Sequence, residues 1–130
     1  MSYTFHRTIT APDFDQAVHQ VTEALKAEGF GIISSIDMKA TMKKKLDVEL
    51  RNYQILGACH PASAYQALQA EPRIGVFLPC NVVVQELDHG AFEVAAVDPL
   101  ASMGAVKNPG LEKVAAEIRS KLNKVVDQLQ

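Results

Sequence analysis

Five side chains carry most of the chemistry open to this sequence: Lys39, Cys59, His60, Cys80 and Asn81. Cys59 ends an expected strand, Tyr53 to Cys59, just before a helix opened by His60-Pro61. A helix N-terminus there favours the thiolate, which is the reactive form of cysteine. Ligands of α/β sheets also gather at the carboxyl ends of strands. The competing reading is a buried cysteine serving as a small hydrophobe. Cys80 and Asn81 follow Pro79. A proline there marks an edge, bulge or bend, and a bulge re-aims the following side chains towards a cavity or simply ends pairing. Asn81 offers a donor and an acceptor in one amide. Lys39 lies in the first turn of a helix capped by Asp37, where the dipole disfavours a cation. It either meets an anionic ligand or a thiolate there, or snorkels at the surface. Lys43, Lys44 and Lys45 lie in the last turn and complement the dipole.

His60, Cys59 and Cys80 together would offer soft metal ligands. Neighbours on a strand point to opposite faces, however, and no metal site is expected. His6, His19 and His89 have no ligand-like spacing, and His89 is expected to be solvated in a hairpin turn. The two cysteines are twenty-one positions apart and are expected as free thiols. A bridge between them would need Cα atoms within about 7 Å. The sequence has no Walker loop, complete dinucleotide glycine fingerprint, nucleophile elbow or His-Glu-x-x-His. No cofactor is predicted, and no paired-carboxylate site is apparent.

The elements that must position these residues are read from periodicity. Tyr3 to Thr10 alternates as a strand. Thr10 is a candidate cap, with Pro12 in the first turn of a helix carrying Phe14, Val18, Val21 and Leu25 and ending at Gly29. Phe30 to Ile36 alternates, with Phe30, Ile32, Ser34 and Ile36 on one face. Asp37 caps a helix from Met38 to Leu46, with Met38, Met42 and Leu46 on one apolar edge. The helix after His60 runs to about Ala70, with Ala64, Tyr65 and Leu68 available for packing. Ile74 to Leu78 is apolar until Pro79 breaks it. Val82 to Leu87 and Ala91 to Val97 flank Asp88-His89-Gly90, a strong hairpin signal. Asn108-Pro109 opens a long helix striped by Leu111, Val114, Ile118, Leu122, Val125 and Leu129. Ala115 and Val126 widen that stripe, which suggests apolar surface beyond one contact. The whole predicts a single α+β domain over residues 1–130. Its sheet is mixed, in part parallel through helical crossovers, with helices mainly on one face, a closing β-hairpin and a long C-terminal helix.

Composition bounds the function. With 130 residues, 48% of them hydrophobic and 22% charged, the chain supports a core without staples. A formal net charge of -2, no tryptophan and few other aromatics argue against a nucleic-acid partner. No apolar run approaches a membrane span of about 18 residues. The N-terminal residues do not read as a secretory signal, so the expected location is cytoplasmic, where thiols stay reduced.

The stretches Gly29–Ile33, Ile36–Leu46, Tyr53–Pro61, Ala64–Leu68 and Glu71–Val84 resemble, in order and spacing, the bacterial and archaeal domain of unknown function family 302. The resemblance implies a compact α+β fold and a homodimer. It also implies that Lys39, Cys59, Cys80 and Asn81 fall on motif positions. His60 departs from the pattern, which carries Asn before the proline. Two functions follow as expectations. One is a dimeric binding or sensing domain for a small anionic or thiol-reactive ligand, with Lys39, Cys59, His60, Cys80 and Asn81 around a common pocket. The other is a thiol-dependent enzyme, redox or sulfur-transfer, using Cys59 as nucleophile, Cys80 as second thiol and Lys39 as stabiliser. A structural module using the terminal helix is the plainest alternative.

Overall fold

Each helix in the protein starts where a side chain or proline can serve the unpaired N–H groups of its first turn. The computed structural model describes residues 2–130. The side chain of His89 lies outside the described set, so its expected solvation does too. Strand β1 (Thr4–Ile9) leads to α1 (Phe14–Ala27). The cap of α1 is Asp13 rather than Thr10, its carboxylate accepting from the Gln16 N–H at 2.8 Å. The Thr10 N–H instead donates to the Gln130 carbonyl at 3.2 Å, tying β1 to the far end of the chain. Gly29 holds φ at +87°, turning the chain from α1 into β2 (Gly31–Asp37). Asp37 caps α2 (Met38–Leu46) through the Ala40 N–H at 2.9 Å. Then come β3 (Tyr53–Cys59), α3 (Pro61–Ala70) and a 3₁₀ segment, Pro72–Phe77, where the apolar Ile74 to Leu78 run stood in sequence. The hairpin β4 (Cys80–Glu86) and β5 (Phe92–Val97) turns through Asp88–Gly90. A short α4 (Pro99–Met103) precedes α5 (Pro109–Gln128), which Asn108 caps through the Gly110 and Leu111 N–H groups.

The strands form one sheet in the order β1-β5-β4-β3-β2. The α+β class, the hairpin and the long last helix agree with the sequence reading. The expected parallel pairing does not occur: every neighbouring pair is antiparallel. Of strands consecutive in the chain, only β1 and β2 run in the same sense, and they are the two edges, so they never touch. α2 and α3 join antiparallel neighbours and are excursions from the sheet's ends rather than crossovers.

Within β2 the register shifts between Ile32 and Ser34, leaving Ile33 as a bulge. Ile32 pairs with Ala58 and Ser34 with Gly57, so the expected single face of Phe30, Ile32, Ser34 and Ile36 is split. The core lies under one sheet face. Leu56, Val82, Val84, Phe92, Val94 and Ala96 meet Val21 and Leu25 of α1 and the stripe of α5 there. Ala115 and Val126 are buried with that stripe, so α5 has no spare apolar surface of the kind its sequence suggested. In α3 the buried residues are Ser63 and Ala67, while Tyr65 and Leu68 are exposed. The docking side of α3 is therefore rotated from the expected one, because small residues let it approach α5 closely.

Candidate functional site

Strands β3 and β4 present the two cysteines at one end of the sheet. Ala58 pairs with Cys80, so Cys59 stands one residue beyond that pair, opposite Gly31. Helix α3 starts at Pro61, directly above that end. Beneath its first turns is a cavity of about 290 Å³ lined by Cys59, His60 and Cys80, with Phe30, Leu68 and Leu78 among its apolar walls. Both cysteines are free thiols. Cys59 is partly exposed and Cys80 is 5% exposed. Burial pushes the Cys80 thiol up to about 11, and the neighbouring Cys59 adds to the same effect. At neutral pH Cys80 is therefore a protonated thiol, a weak nucleophile that can still donate a weak hydrogen bond.

His60 occupies the N-cap position of α3, and its side chain makes no capping bond. Its ring packs edge-on against Phe30, with centroids 5.4 Å apart. Its buried Nδ1 has no hydrogen-bond partner among the described residues. Gly29 supports this ring: a Cβ there would lie 3.1 Å from the His60 Nε2. Gly57 is equally constrained, since a Cβ would come within 2.6 Å of the Pro79 Cγ and collide with Ser34. Only glycine lets Pro79 close so tightly over β3.

The other two predicted site residues lie elsewhere. Asn81 does not turn into this cavity. Burial alternates along β4 from Cys80 onward, so the strand keeps its regular pleat and Asn81 faces the opposite side from Cys80. There Asn81 lines an open depression of about 410 Å³ with Tyr53, Val83, Gln85 and Glu93. Lys39 is at the far end of the sheet. Its Nζ donates to the Leu50 carbonyl at 3.1 Å and lies 3.9 Å from the Glu49 carboxylate. Antiparallel pairing puts the end of β2 beside the start of β3. The seven residues of β3, about 20 Å of strand, therefore separate the Lys39 region from Cys59. Nearby, Lys43 pairs with Asp47 and, at 3.3 Å, with Glu49; both carboxylates push its ammonium pKa up, Asp47 more. Among the described residues no group of three or more His, Cys, Asp or Glu side chains is placed to hold a metal ion.

The family described as Domain of unknown function DUF302 matches residues 5–129. The chain belongs to that family. A crystal structure of an uncharacterized conserved DUF302 protein from Bacillus stearothermophilus has the same fold, with a TM-score of 0.90, 24% identity and full coverage of both chains. No curated protein matches the chain.

In this DUF302 chain, sequence reasoning found the sulfurs and His60 but not the cavity walls. Phe30 read as one residue of an alternating strand, and the glycines on either side of it were the available signal. Leu78 and Pro79 read as a broken strand, whereas they close the cavity after a 3₁₀ segment. Among the described residues no helix is long and apolar enough to cross a membrane.

Proposed function

We propose that this DUF302 chain is a homodimeric binding or sensing domain whose cavity beside Cys59 takes a small, largely apolar, thiol-reactive ligand. The convergence of Cys59, His60 and Cys80 on one cavity carries this reading. At about 290 Å³ it is at the small end of ligand sites, which favours a ligand of few heavy atoms. Among the described lining residues there is no Lys, Arg, Asp or Glu, so the anionic ligand expected from Lys39 fits poorly. The unpartnered Nδ1 of His60 favours a ligand with one polar group. The homodimer belongs to the same reading.

Thermal melting against short-chain alcohols, aldehydes and enals tests the cavity. A ligand at a hundred times its Kd adds about 2.7 kcal/mol to the native state and raises Tm. Widening Ala64 to Phe should abolish that shift. A flat response across the panel sinks the reading.

Thiol-dependent redox or sulfur-transfer chemistry is the second reading. The shared cavity favours it, and the protonated state of Cys80 at neutral pH opposes it. Iodoacetamide labelling read by peptide mass decides between them. We expect Cys59 to label at neutral pH and Cys80 to resist; equal labelling of both would favour the enzyme.

A further inference from the structure

An antiparallel sheet with one face in water normally alternates apolar-in and polar-out. This sheet keeps His6, Asn81, Gln85 and Glu93 on its open face but interrupts them with one apolar row. Ile36, Ile55, Val83 and Ala95 are successive register partners and form an apolar row across β2, β3, β4 and β5. Ile36 is 46% exposed. The row lies on the face opposite the core, and only strand residues and Tyr3 line the depression around Val83. Val83 is at the middle of β4, which is itself the central strand of the five.

We infer that two copies of this chain pack open face to open face, with Val83 at the centre. This assigns a surface to the homodimer proposed above and rests on that reading. The face measures about 24 Å by about 20 Å. Two such faces remove about 1,000 Å² in total, the lower bound for a specific interface. Polar groups on the same face are self-complementary. Tyr53, Gln85 and Glu93 form the adjoining row. A two-fold axis along β4 exchanges the β3 side with the β5 side, which sets the Tyr53 hydroxyl of each copy over the Glu93 carboxylate of the other. Gln85 Nε2 already donates to Oε1 of Glu93 at 3.1 Å, and Oε2 accepts from no group among the described residues. The terminal helix offers no competing surface, since its stripe is buried within the protomer.

Size-exclusion with light scattering on the full chain tests the inference, with folding checked by circular dichroism. The wild type should elute at the two-chain mass. Val83→Lys should elute at the one-chain mass, its dimer weakened roughly 30-fold or more, as for a central hot spot. If that variant fails to fold, Asn81→Arg, at an already exposed position of the same face, should likewise elute at the one-chain mass. A folded variant that stays dimeric overturns the face and leaves the homodimer standing. A monomeric wild type overturns both.

Discussion

Helix α2 leaves and rejoins the sheet between β2 and β3, and α3 does the same between β3 and β4, at the opposite end of the strand they share. α2 carries Met38, Met42 and Leu46, yet none of its residues is buried. α3 has smaller apolar residues and buries Ser63 and Ala67. The difference lies in what each can dock on. Small side chains let α3 pack on α5, and the Asn108 amide donates to the Ala70 carbonyl at 2.8 Å, fixing its end. α2 meets β3 without burying any of its residues, and it holds its own loop through Lys39 and Lys43. A cavity forms where a helix is anchored over the sheet with small residues at the contact. No such space is made where a helix only folds over its own return.

Single truncations, one in α2 and one in the segment that follows α3, give the largest expected contrast. Ile74, in the 3₁₀ segment that follows α3, is 1% exposed. Ile74→Ala should cost about 3 kcal/mol in urea unfolding, from lost burial and the cavity left behind. Leu46 on α2 is 66% exposed. Leu46→Ala should change stability by less than about 0.5 kcal/mol. Similar losses at both positions would erase the distinction between a docked and an undocked helix.

A smaller effect belongs to the thiol that α3 helps to bury. The Cys80 thiol is pushed up from 9.0 to about 11 in the folded protein. The folded state thus holds this proton more tightly than the unfolded state. The contribution is complete below pH 9 and is lost as pH rises from 9 to about 11. Two pH units correspond to roughly 2–3 kcal/mol. Denaturant unfolding of the wild type and Cys80→Ala across this window should therefore converge by about 2 kcal/mol. A constant difference would mean that the sulfur is better hydrated than its burial implies.

Element boundaries were largely legible because their causes are local. Asp37 and Asn108 cap, Pro61 and Pro109 open helices, and Asp88-His89-Gly90 turns the hairpin. Pairing sense was not, because nothing within β2-α2-β3 tells a crossover from a hairpin with a helical insert. That one ambiguity also governs the site. In a parallel pair the carboxyl ends of β2 and β3 coincide, which would have set Lys39 beside Cys59. In the antiparallel pair they lie at opposite ends. Cys59 and His60 stayed together because they are adjacent in the chain. Cys80 joined them through the β3–β4 register, and Asn81 left because a regular pleat sends it the other way. The bulge at Ile33 was equally hidden, since it follows from how β2 meets β3 rather than from its own alternation.

The smallest effect is expected at Lys39. The Lys39 side chain is 45% exposed and holds the Leu50 carbonyl and the nearby Glu49 carboxylate. An exposed pair of this kind contributes at most about 1 kcal/mol. Lys39→Met should lower stability by no more than that, with part of the loss recovered through the retained aliphatic stem. Its sharper readout is the cavity beneath α3. Any ligand that raises the Tm of the wild type should raise that of Lys39→Met by the same increment, because a strand's length separates the two regions. An increment that vanishes with Lys39 would mean that the ammonium reaches the bound ligand. The two ends of β3 would then be parts of one site, and the contrast between the two helices would describe packing alone.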